Sequence, residues 1–238
     1  MAKTRHLGLR CIADYLTVII VGIPLGVLCV SLVCLGHIKI RGYARAIRLA
    51  WRGNIIIAAN HPSMLETFLI PLLFFPLYLV SLRFFVWSVP DRRLLPRRLR
   101  WLFWLGRCIT VDRSDRSHNA NRVQKLAAIL GNNGVVVIHP EAGRTSKGEK
   151  FIFRGDRRMR FFVSGVPALA QDTGATILPL WISGADIVLP VGSIVPHLMR
   201  SKITLSFGTS YRPENCPPRQ KADRKKESAA LAQAILAS

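Results

Sequence analysis

GNIIIAANHPSMLETF, residues 53–68, runs from an unbroken apolar stretch into a proline and a helix-like segment. Isoleucines and alanines bounded by Gly-Asn on one side and Asn-His on the other read as a short strand buried on both faces. Pro62 disfavours helical geometry at His61 and suits a helix's first turn, so His61 stands at the junction. Five positions on is Glu66. One reading of Glu66 is structural: Ser63-Met64-Leu65-Glu66 fits a capping box, in which Ser63 caps the helix and the glutamate reaches back to its first amide. The other is chemical. With His61 outside the helix, a first-turn carboxylate can hold one imidazole nitrogen and leave the other to accept a proton. Six histidines and 13 acids produce about 0.3 such pairs by chance, so the spacing alone decides nothing.

Outward from this junction the chain alternates. Residues 109–112, 134–140, 175–182 and 202–208 join 53–60 as strand candidates, and 119–134 and 161–174 have helical spacing. The alternation predicts an α/β domain, a mixed and largely buried sheet flanked by helices. Its expected extent is 39–212, preceded by an N-terminal membrane anchor (1–38) and followed by a basic C-terminal tail (213–238) with a short, peripheral helix. Residues 67–87 are apolar on every side apart from Arg83, which fits either a buried helix or a surface that dips into lipid. Arginines interleave with Trp101, Phe103 and Trp104 over 91–107, the composition of a membrane-interface patch.

The anchor rests on residues 15–36, which carry no charge and are numerous enough to span a bilayer. Basic residues flank both ends, an unfavourable arrangement for a simple span. GIPLG at 22–26 offers a bend, so a re-entrant hairpin and a single span both remain open. Whole-chain composition agrees with a lipid boundary: half the residues are hydrophobic, and 34 Lys and Arg against 13 Asp and Glu give +21, with a mean hydropathy of +0.27. Anionic lipid satisfies both properties; nucleic acid satisfies only the charge. Five cysteines, at 11, 29, 34, 108 and 216, form neither a C-x-x-C pair nor a cluster with histidine, so no metal site is expected.

Four blocks in order tie the junction to a known chemistry. Asn60 to Glu66 reads NHPSMLE, Gly106 to Arg113 reads GRCITVDR, His139 to Ser146 reads HPEAGRTS, and Thr176 to Leu180 reads TILPL. With these blocks the chain resembles the glycerolipid acyltransferase family, the 1-acyl-glycerol-3-phosphate (lysophosphatidate) acyltransferases and their relatives. Glu66 stands for the family's usual aspartate, a spacing shared with the acyltransferases that build lipid A. His139 replaces a common phenylalanine, and the third block's glycine is displaced by one, to Gly143.

The resemblance implies transfer of a fatty acyl group from an acyl-CoA or acyl carrier protein thioester to a lysophospholipid hydroxyl, most simply that of 1-acyl-glycerol-3-phosphate, with no tightly bound cofactor. It also implies a bacterial enzyme at the cytoplasmic face of the inner membrane. His61 would be the base and Glu66 its orienting acid. Arg113 and Arg144 match positions that bind the acceptor's phosphate, with Glu141 and Gly143 beside them, although Glu141 has the alternative of organising Arg144. Cys108 and Pro179 read as structural. The altered blocks leave two alternatives: a different acceptor, of the lyso-aminolipid or lipid A type, or an inactive membrane-surface binding protein.

Overall fold

Isoleucine-rich β2 lies at the centre of the molecule. The computed structural model describes residues 15–81, 84–90, 107–111, 116–141, 145, 150–162, 165–190, 193, 195–197, 201–213 and 221–238. Its strands are β1 (Ile38–Arg41), β2 (Ile55–Ala59), β3 (Val86–Ser88), β4 (Val135–Ile138), β5 (Phe151–Arg154), β6 (Arg157–Arg160), β7 (Thr176–Ser183) and β8 (Ile203–Phe207). Six of them form one sheet in the order β1-β8-β7-β2-β4-β3, while β5 and β6 make a separate antiparallel hairpin. β2 pairs in parallel with both β4 and β7, β3 in parallel with β4, and β8 turns back antiparallel to β7. The expected mixed α/β sheet is therefore present. Its parallel strands β2, β4 and β7 all finish at one edge, where open α/β sheets place their sites.

Alternation along the strands divides two cores. Ile55, Ile57 and Ala59 of β2 face one side with Val135, Val137, Leu178 and Leu180. That side is covered by α1 (Tyr15–Cys34), α2 (Tyr43–Arg52), α3 (Glu66–Leu73) and α4 (Phe75–Val80). Ile56 and Ala58 face the other side with Val136, Ile177 and Trp181. There they meet α5 (Arg116–Gly131), α6 (Val166–Thr173) and α8 (Lys221–Leu236), while α7 (Ala185–Val188) is one turn after β7.

Several expectations need correction. GIPLG does not reverse the chain: α1 is continuous from Tyr15 to Cys34, with a π-helical turn over Val18–Gly22 just before Pro24. Its glycines serve packing. A Cβ on Gly26 would come within 2.6 Å of the Phe75 ring and one on Gly22 within 3.0 Å, so the bare backbone lets α1 lie against α4. The opposite side of α1 exposes Leu16, Ile19, Ile20, Val27 and Val30.

The C-terminal helix is not peripheral either, because Leu231, Ala232, Ile235 and Leu236 are fully or almost fully buried in the second core. Residues 109–112 do not form a strand in the described part. Ile109 and Val111 N–H groups donate to Ser88 and Pro90 carbonyls, and three-residue β3 is too short to support a longer ladder. α6 starts at Val166 instead of 161 because Phe161 N–H is bonded to Lys150 O at the base of the β5–β6 hairpin. The apolar stretch 67–87 becomes two short helices and β3, burying Ile70 and Phe74 while exposing Phe68, Leu79 and Val80.

Candidate active site

His61 begins the loop that leaves β2, and Glu66 opens α3. The imidazole Nδ1 is 2.5 Å from Glu66 Oε1. The carboxylate is fully buried at 0% exposure, whereas the histidine side chain is 18% exposed. A carboxylate accepts, so Nδ1 carries the hydrogen and Nε2 presents its lone pair. The same Oε1 accepts the Ser63 N–H at 3.0 Å, the back-reach of a capping box. The serine half is shifted by one residue: Ser63 Oγ accepts the Leu65 N–H at 3.3 Å in place of the Glu66 amide while donating to Leu189 O at 2.8 Å, and the regular helix starts at Glu66. One carboxylate thus fills both roles left open by the sequence.

The main chain of His61 is held from the loop after β4. Its N–H donates to Glu141 Oε1 at 2.9 Å, and its carbonyl accepts the Thr145 N–H at 3.0 Å. Glu141, 2% exposed, also accepts the Thr145 hydroxyl at 2.8 Å and, through Oε2, the Arg160 N–H at 2.8 Å. Burial pushes its carboxyl up from the usual range, while these donors act in the opposite direction. Asn60 completes the frame: its Nδ2 donates to Ile182 O at 2.8 Å and its Oδ1 accepts Ile182 N–H at 2.7 Å, joining the end of β2 to β7.

A second imidazole stacks on the first. The His61 and His139 ring centroids are 4.5 Å apart at 19°. His139 Nδ1 lies 3.2 Å from Ala59 O and 3.1 Å from Asn60 O; both are acceptors, so Nδ1 is the protonated nitrogen. Burial, and next the neighbouring His61, push the His139 ring down to about 4. It is neutral at physiological pH.

The structure therefore brings together three of the residues the sequence singled out, His61, Glu66 and Glu141, and stacks the unusual His139 against them. Arg113, Gly143 and Arg144 lie outside the described residues. Residue types alone did not single out Thr145 or the Arg160 amide, because the Thr145 N–H reaches His61 O and the Arg160 N–H reaches Glu141 only once the chain is folded. Cys108 is a poor nucleophile: burial pushes its thiol up to about 12. Among the described residues no group of three or more His, Cys, Asp or Glu is placed to hold a metal ion.

The family model described as Acyltransferase matches residues 37–183, which include the whole loop from Asn60 to Glu66 and both strands beside it. The fold is similar to the crystal structure of the 1-acyl-sn-glycerophosphate (LPA) acyltransferase PlsC from Thermotoga maritima. That likeness has a TM-score of 0.51 at 16% identity and covers 98% of this chain and 95% of the other. No curated protein matches the chain.

Proposed function

The chain belongs to the Acyltransferase family, and we propose that it moves a fatty acyl group from a thioester to the hydroxyl of a lysophospholipid, with His61 and Glu66 as its base and orienting acid. The observation that carries this reading is the 2.5 Å contact between Nδ1 of the partly exposed His61 and a fully buried carboxylate, which sets the ring's tautomer and orientation.

An alcohol is a weak nucleophile at neutral pH, whereas a thioester is already activated. Nε2 takes the hydroxyl proton as the oxygen attacks the thioester carbonyl, and Glu66 stabilises the imidazolium that forms. The tetrahedral intermediate collapses with loss of the thiolate, which recovers the proton from His61. Attack is direct, with no acyl-enzyme. Base catalysis of this kind contributes roughly 10²–10⁴ in rate. Glu141 and Thr145 hold the His61 backbone, so the ring's position is fixed from both loops.

The donor is acyl-CoA or acyl carrier protein, and 1-acyl-glycerol-3-phosphate is the acceptor suggested by the family blocks, its phosphate taken by Arg113 and Arg144 next to Gly143. α1, long and apolar enough to cross a membrane, holds the enzyme there. Its basic surface favours anionic lipid and the cytoplasmic side of a bacterial inner membrane.

Purified full-length protein in detergent, supplied with both thioester donors and a panel of lysophospholipids, tests the proposal. Acyl transfer is expected in the wild type, with a loss of about 10³ in kcat for His61→Ala at unchanged folding. Equal turnover by that variant would refute the mechanism.

A further inference from the structure

A cleft of about 490 Å³ opens at the same edge of the sheet, and the residues on either side of His61 in the chain, Asn60 and Pro62, are in its wall together with Thr145. That volume is within the usual range for small-ligand sites. Its floor is a row across three strands. Ser206 of β8 is in register with Arg41 of β1 on one side and Trp181 of β7 on the other, and register partners on neighbouring strands share a face. Ser206 is only 2% exposed, and its Oγ has no hydrogen-bond partner among the described residues. A buried hydroxyl left without a partner is costly, so the floor suits an incoming polar group.

The rim carries both signs of charge. Arg41 lines it on the β1 side, Asp186 stands on α7 after β7, and Asp156 is in the turn of the β5–β6 hairpin. Gly184, at φ 79°, makes the turn that starts α7; a Cβ there would lie 2.2 Å from Lys202 O, so the backbone fixes this part of the rim closely. Among the described residues, neither aspartate is within ion-pair distance of an arginine. Arg157 is already engaged, its Nη1 donating to Leu236 O at 2.8 Å and its guanidinium lying 5.3 Å from the Trp181 ring centre. Arg158 also lines the cleft, so three arginines and two aspartates share its wall and it presents both signs of charge.

We propose that this cleft receives the acceptor's head group and selects one that carries an ammonium as well as an anion: Asp156 and Asp186 take the ammonium, Arg41 the anion, and Ser206 a polar atom at the floor. The inference rests on the acyltransferase reading above and, within its lysophospholipid class, favours a zwitterionic acceptor over the phosphate monoester.

Binding and turnover test it separately. Glycerophosphoethanolamine and glycerol 3-phosphate are titrated calorimetrically into the full-length protein in detergent, as wild type and as His61→Ala. The zwitterion is expected to bind both at least tenfold more tightly than the phosphate monoester. Asp156→Asn with Asp186→Asn should remove that preference by weakening the zwitterion without weakening glycerol 3-phosphate, and Ser206→Ala should weaken the zwitterion several-fold. In turnover, the paired Asn variant should raise KM for 1-acyl-glycerophosphoethanolamine about tenfold without raising the value for 1-acyl-glycerol-3-phosphate. Equal binding of the two head groups, no binding of either, or an equal loss for both in the Asn variant overturns the proposal. If the zwitterion binds as expected but no acceptor is acylated, the cleft assignment stands and the acyltransferase reading of His61 fails instead.

Discussion

Two imidazoles stacked at 4.5 Å, one in the loop after β2 and one in the loop after β4, have the same chemistry and opposite surroundings. His61 gives its Nδ1 hydrogen to a buried carboxylate, while His139 gives its own to two main-chain carbonyls. A carboxylate can offset the charge of an imidazolium; carbonyl dipoles fix a tautomer and leave a charged ring poorly compensated. In the proposed mechanism the ring that gains and loses a proton is the one with the ionic partner. The other is suited to serve as a rigid, neutral wall. The nature of the acceptor at Nδ1 therefore separates the two roles.

The largest effect should come from making the two rings alike. Glu66→Gln replaces the ionic acceptor of His61 with a neutral one, as His139 already has. The glutamine oxygen still accepts the Ser63 N–H, so the start of α3 survives and the melting temperature should move by only a few degrees. The rate of acyl transfer should fall by about 10³, with KM little changed. A full rate in this variant would reduce Glu66 to a helix cap.

Next in size is Glu141→Ala, which separates holding the His61 backbone from holding its ring. Three donors, the His61 and Arg160 N–H groups and the Thr145 hydroxyl, lose a buried acceptor, and a loss of about 4 kcal/mol in unfolding free energy is expected. Denaturant unfolding measures it. An unchanged midpoint would show that the loop after β4 does not secure His61. Glu66→Gln should spare stability and remove rate; Glu141→Ala should do most of its damage to stability.

The same contrast explains what could be read from the sequence. The pairing of His61 with Glu66 is local, five residues across a proline and a helix start, and its alternatives could be weighed from residue types alone. The work of Glu141 could not, because its partner in the His61 main chain is 80 positions away and any residue would present that N–H. The central strands were visible as apolar runs. β1 and β3 escaped notice because IKIR and VWS are three or four residues long. Gly22 and Gly26 fit a bend and a close contact equally well in sequence, and only the Phe75 ring decides between them. In α8 the basic first half disguised a buried face made by Leu231, Ala232, Ile235 and Leu236.

The smallest effect, and the one that probes His139 itself, is a pH dependence of stability. In the folded chain its ring is pushed down to about 4 from an ordinary 6.5, by burial first and then by His61, with Glu66 the opposing charge. Between those values the unfolded chain binds a proton that the folded chain refuses, so the contribution is present above pH 6.5 and is lost as pH falls toward 4. The separation corresponds to about 3 kcal/mol in all. His139→Phe keeps an aromatic wall against His61 and has nothing to titrate. Unfolding free energies measured from pH 7 to pH 4 should therefore decline less steeply in the variant than in the wild type, while acyl transfer at pH 7 stays within about threefold because His139 is neutral there in any case. Parallel pH curves for the two proteins would mean that His139 is not the refused proton's site, and the contrast between the stacked rings would then reduce to geometry alone.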